Sequence, residues 1–146
     1  MKTKYVSVYE IEYIAYVLAA ELMSWDEPIP PFGSRFPNIL ESCINAPFQT
    51  FYKKHLYRRL IGKASILFYL MIKNHPFQNG NKRIAVMTLL FFLSKNGKWL
   101  NISNELLYRV AVEVAKSKPK SKDDIIRWLE TTFTKHLISY SAGKAF

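Results

Sequence analysis

The chain has 146 residues, 49% of them hydrophobic and 22% charged, with a formal net charge of +10; this is the size and composition of one globular domain over residues 1–146 and excludes a disordered or fibrous chain. One cysteine, Cys43, excludes an internal disulfide framework and a multi-cysteine zinc site. The longest apolar run, residues 84–93, is too short to span a bilayer, and no basic-then-apolar leader opens the sequence, so a soluble cytoplasmic domain is expected.

In chain order, Ile11, Ile14, Leu18 and Leu22 recur at helical steps and predict an amphipathic helix over residues 8–25. Residues 26–33 (DEPIPPFG) are rich in breakers and end it. A short helix is expected over residues 38–45, burying Leu40 and Ile44 and stopped by Pro47. Residues 47–57 (PFQTFYKKHLY) alternate aromatic with polar side chains and suit either an extended ribbon or an irregular loop. A helix over residues 60–73 should stop near Asn74, because Pro76 pushes His75 out of the α region.

Asn79-Gly80 signals a turn into a helix from residue 81 or 82 to about 96, with Gly97 just past its end. That helix is apolar nearly all round from Ile84 to Leu93, the mark of a central buried helix. Two more helices are expected over residues 104–116 and 122–137, the second with Ser121 as N-cap and Asp123 and Asp124 in its first turn. Residues 139–146 are expected to fray. The fold class is therefore all-α.

Charge is unevenly distributed. Residues 51–100 hold ten Lys or Arg and no Asp or Glu, a one-signed field that attracts anions. Within that stretch lies His75-Pro76-Phe77-Gln78-Asn79-Gly80-Asn81-Lys82-Arg83. A tight turn at Gly80 entering a helix should point several unpaired backbone N–H groups at one spot, and the helix dipole adds to their field. Lys82 and Arg83 contribute two full charges, the second as a fork shaped for phosphate oxygens. His75, at the head of the same loop, is a side chain suited to taking a proton from a hydroxyl nucleophile. A base beside a phosphate cradle is the layout of phosphoryl or nucleotidyl transfer. The plainer alternative is a histidine that merely ends a helix next to a solvated basic turn.

The nonapeptide HPFQNGNKR resembles the signature loop of the Fic/Doc family, His-x-Phe-x-(Asp/Glu)-(Gly/Ala)-Asn-(Gly/Lys)-Arg, and most closely the Doc (death-on-curing) toxin branch. Flanking segments 38–42, 47–51 and 92–97 and the helix containing Trp128-Leu129 also resemble that branch, so the likeness runs over about residues 36–130. It implies a Fic-like helical domain in which residues 47–57 form a flap, with Phe48, Gln49, Thr50 and Phe51 docking a target. It implies that His75 is the general base, that Gly80, Asn81 and Lys82 bind the nucleotide phosphates, and that Arg83 stabilises the transferred or leaving phosphate. As in Doc, Lys82 stands where AMP-transferring members carry Gly, which favours phosphate transfer over AMP transfer; the second Arg of the longer signature would fall at Val86 and is absent, again as in Doc. ATP or another nucleoside triphosphate is then the donor, with Mg²⁺. The acidic metal position is Asn79, which offers a carbonyl only.

No glutamate is followed by Gly or Asn, so the family's inhibitory helix is not expected in cis. A separate antitoxin in trans is implied, and elongation factor Tu is the implied target. A membrane partner is not expected, nor is nucleic acid, although a non-catalytic nucleic-acid-binding or Fic-fold module remains an alternative to the enzyme. Cys43 reads as a core thiol, His55 and His136 as surface or partly buried residues, and residues 116–122 (KSKPKSK) as a solvated interhelical loop.

Overall fold

A computed structural model describes residues 2–19 and 29–139. The chain enters its first helix through a reciprocal cap: Ser7 Oγ accepts from the Glu10 amide at 3.2 Å and Glu10 Oε1 accepts from the Ser7 amide at 2.9 Å. Helix α1 (Val8–Tyr13) buries Ile11 and passes into a π-helical segment, Ile14–Ala19, whose Ile14 and Ala15 are buried. The expected single α-helix over residues 8–25 thus widens after its second turn, and residues 20–25 lie outside the described residues.

A 3₁₀ turn, Phe32–Ser34, leads to helix α2 (Pro37–Asn45), which buries Leu40, Cys43 and Ile44. Pro37 at its first position is pre-set for a helix start. Pro47 stops the helix but continues the chain as a further 3₁₀ turn, Ala46–Phe48. Of the two readings open for residues 47–57, the ribbon is the one observed. Strands β1 (Thr50–Phe51) and β2 (Lys54–His55) pair antiparallel, with Thr50 opposite His55 and Phe51 opposite Lys54. Tyr52 and Lys53 between them take φ of 51° and 62°, the left-handed pair that matches the twist of a two-residue hairpin.

Helix α3 (Leu60–Lys73) and helix α4 (Asn81–Lys95) form the central pair. α4 is buried continuously from Arg83 to Leu90, because α3, the π-helical segment, helix α5 (Asn104–Lys116) and strand β3 (Lys98–Leu100) all pack on it. Each large apolar side chain so enclosed contributes about 1.5–3 kcal/mol. Gly97 takes φ of 75° one residue past the C-cap Asn96 and closes α4.

A 3₁₀ turn, Pro119–Ser121, precedes helix α6 (Lys122–His136). Ser121 occupies the N-cap position but makes no side-chain cap: its φ of −93° and ψ of 9° lack the extended geometry that aims a hydroxyl at the first turn. Ser103, which is extended, does cap α5, accepting from the Leu106 amide at 3.1 Å. The chain end also differs from expectation. α6 stops at His136, and strand β4 (Leu137–Ser139) pairs antiparallel with β3, setting Trp99 opposite Ile138 and Leu100 opposite Leu137. Of the residues 139–146 expected to fray, Ser139 is the last residue of β4, and residues 140–146 lie outside the described residues. Among the described residues, six α-helices with two small two-stranded sheets bear out the helical class. No described helix is long and apolar enough to cross a membrane.

Candidate active site

The loop between α3 and α4 is shaped by its own side chains. α3 ends with the Asn74 amide donating to Leu70 O at 2.9 Å. His75 then leaves the right-handed region, as Pro76 requires, but for φ of 50° and not the extended region. A non-glycine residue there stores backbone strain, which marks candidate functional positions. His75 is exposed, whereas Pro76 and Phe77 behind it are buried.

Phe77 is the anchor. Its ring is 1% exposed and lies 6.0 Å from the Phe32 ring. Its backbone is held at both ends by one carboxamide: Asn81 Oδ1 accepts from the Phe77 amide at 3.0 Å, and Asn81 Nδ2 donates to Phe77 O at 2.8 Å. Asn81, expected to hold phosphate, thus has a visible role in fixing the loop. The signal was available as an Asn four residues after the anchor, at the start of a helix, where Asn side chains bond local backbone.

Gly80 makes the turn into α4 with φ of 73° and ψ of 13°. A Cβ at this position would stand 2.7 Å from Ile29 Cδ1, so close approach as well as dihedral demands glycine. Its amide donates to Asn79 Oδ1 at 3.0 Å. The expected cluster of unpaired loop amides is therefore smaller than the turn alone suggests, since those of Phe77 and Gly80 are already committed. The first intrahelical bond is Ile84 N to Gly80 O at 3.0 Å, which leaves the amides of Asn81 and Lys82 ahead of it at the positive end of the helix. Lys82 is half-buried with its ammonium 6.0 Å from the Tyr108 ring centroid. Arg83 is 3% exposed, held in the first turn of the central helix.

A second segment backs this loop, and sequence reasoning placed no site residue on it. The Phe36 amide donates to Pro76 O at 2.9 Å. Arg35 donates to Phe32 O at 3.1 Å and lies 4.1 Å from the Phe32 ring centroid. Residues 29–36 thus pack beneath the signature loop and bring a third cation within one ring of its anchor. Proline-rich sequence marks this stretch only as a break between helices.

The metal expectation meets a poor donor set. Among the described residues, no group of three or more His, Cys, Asp or Glu side chains is placed to hold an ion. Asn79 Oδ1, the carbonyl expected as a ligand, already accepts the Gly80 amide. Hard divalent cations prefer carboxylate and phosphate oxygens, and residues 51–100 supply no carboxylate.

The flap residues divide. Phe48 is half-buried against Phe92 and Tyr5, at 6.4 and 6.3 Å between ring centroids, while Gln49, Thr50 and Phe51 are exposed on the hairpin. Cys43 is fully buried, and burial pushes its thiol up to about 12, the state of an inert core residue. His55 is exposed on β2 and His136 half-buried in the last turn of α6.

No curated protein and no solved structure matches the chain. The Fic/DOC family does, over residues 7–93. That match begins well before the expected start at residue 36, taking in α1, and stops within α4, short of the Trp128-Leu129 helix. With more than half its length matched, signature loop included, the chain belongs to the Fic/DOC family, whose domains are generally transferases that modify proteins.

Proposed function

We propose that the chain is a Doc-like toxin that transfers the terminal phosphate of a nucleoside triphosphate, ATP foremost, to a Ser, Thr or Tyr hydroxyl of a cytoplasmic protein. Elongation factor Tu is the target suggested by resemblance. The observation that carries the reading is the loop itself, which joins an exposed His75 to a buried Arg83 through a left-handed glycine.

In the proposed step the imidazole of His75 takes the hydroxyl proton as the hydroxyl oxygen attacks the terminal phosphorus. The new O–P bond forms while the bond to the nucleoside diphosphate breaks. Arg83 and the leading amides of α4 balance the charge on the transferred group and the leaving diphosphate. Lys82 offers a further cation to the phosphate chain. Asn81 keeps the loop in register, with a second Nδ2 hydrogen available to the nucleotide.

Magnesium is proposed to arrive on the nucleotide's own phosphates. The residues described here do not fit a magnesium set, and no step is assigned to protein ligands of the ion. The exposed edge of the β1–β2 hairpin supports strand addition by the target, with Gln49, Thr50 and Phe51 in contact. Inhibition is proposed to come from a separate antitoxin, whose acidic character would suit the basic 51–100 stretch.

The test is incubation of the protein with labelled ATP and bacterial lysate, followed by mass analysis of the modified protein. An adduct of one phosphate, absent with His75→Ala and Arg83→Ala, supports the proposal. An adduct of one AMP assigns nucleotidyl transfer on the same scaffold instead. No transfer by the native chain, but a large gain with Asn79→Asp, identifies a site silenced at its metal position.

A further inference from the structure

Beneath the hairpin lies a cavity of about 220 Å³ lined by Lys2, Thr3, Phe48, His55, Arg58 and Lys63. Two lysines, an arginine and a histidine face it, and among the described residues no carboxylate does. We propose that this cavity is a binding site for a phosphate group, held by Lys63 at its floor and by Arg58, His55 and Lys2 at its rim.

Lys63 carries the inference. Its side chain is buried to 3% exposure in the first turns of α3. Its ammonium donates to Tyr57 O and lies 5.5 Å from the Phe48 ring centroid. An ammonium has three donors, and a carbonyl and a ring face provide only partial negative charge. Among the described residues the ion pairs join Lys95 to Glu10, Arg109 to Glu105 and Arg127 to Asp124; none involves Lys63. A buried cation without a full counter-charge is strongly disfavoured unless an anion joins it. Burial accordingly lowers the affinity of Lys63 for its proton, and a bound anion would restore it.

The site's chemistry favours phosphate over a lone carboxylate. Several cationic groups around one space are better balanced by a dianion, and the Arg58 fork matches a pair of phosphate oxygens. The positive end of α3, which starts at Leu60, adds to the same field. The cavity shares no residue with the His75–Arg83 loop, so the proposal stands or falls separately from the transfer reaction.

The test is a titration of the ¹⁵N-labelled full chain, followed by amide shifts at constant ionic strength. Inorganic phosphate is used in one arm and O-phosphoserine in the other. Saturable shifts clustered in residues 2–3 and 54–63 are expected, weakened about tenfold by Arg58→Gln and abolished by Lys63→Met. Tighter binding of O-phosphoserine assigns the site to a phosphate monoester, and tighter binding of phosphate to the free ion; either supports the site. Shifts confined to residues 77–83, no shifts with either probe, or an affinity unchanged by Arg58→Gln would overturn it. Because Arg58 is exposed, that variant keeps the test valid if Lys63→Met fails to fold.

Discussion

Gly80→Ala probes the turn on which the candidate site depends. The substitution introduces two separate strains. An L-residue held at φ of 73° is disfavoured by roughly 1–2 kcal/mol. The new Cβ also meets Ile29 Cδ1 at 2.7 Å, although the Ile29 Cα stands at an ordinary 3.8 Å. Since the crowded atom is the tip of a rotatable side chain, the overpacking belongs near the low end, about 1 kcal/mol. Stiffening of the unfolded chain by alanine offsets roughly 0.4–1 kcal/mol. The net expectation is a loss of about 2 kcal/mol, or a fall in Tm of roughly 4–8 °C for a chain of this size. Chemical denaturation of Gly80→Ala, Ile29→Ala and the double variant separates the two strains. In the Ile29→Ala background, Gly80→Ala should cost about 1 kcal/mol less, leaving the dihedral component. A Gly80→Ala protein within 0.5 kcal/mol of the native chain, or a double variant with no such relief, would refute this account of the turn.

The other expectations are briefer. His75→Ala should lower transfer by roughly 10²–10⁴-fold with little change in Tm, and His75→Gly, which relieves the φ of 50°, should be slightly more stable and equally inactive. Asn81→Ala orphans the amide and carbonyl of Phe77 and should destabilise by about 2 kcal/mol in urea denaturation. Burial raises the Glu10 carboxyl, but the hydrogen bond from Lys95 and those from Ser7 outweigh it, so its pKa is lowered. The folded value then lies below the unfolded one, so stability is present above the ordinary carboxylate range and lost as pH falls through the lowered value; Glu10→Gln should flatten Tm against pH in that window. Cys43, with its thiol near 12 and no exposure, should react with a thiol reagent only on unfolding, at a rate that follows denaturant concentration.

The family and the helical framework were readable because local chemistry decides them. Pro76 and Asn74 end α3, Gly80 and Gly97 bracket α4, and an uncharged face all round marks α4 as central whatever its neighbours are. The nonapeptide HPFQNGNKR is similarly self-contained, since a loop that binds its own backbone keeps its residues within nine positions. In each case a conformational requirement set within a few residues is decisive, so the sequence alone contains it, although the close approach of Ile29 that also demands Gly80 is tertiary.

What the sequence did not show depends on residues far apart in the chain. Strand β4 exists because residues 137–139 find β3 some forty residues earlier, and a run as short as Leu137–Ser139 has no strand period to detect. The first helix widens into a π-helical segment, Ile14–Ala19, which packs on α4, far along the chain. Phe32 and Arg35 reach the signature loop only after residues 29–36 fold beneath Phe77. Lys63 reads as one more solvated base in a basic stretch until tertiary packing removes it from water. Sequence therefore determined the principal helices, the family and the identity of the loop, where forces act between neighbours. Tertiary structure alone decided which amides of that loop are already occupied, what packs beneath it, and which lysine is buried with no carboxylate partner among the described residues.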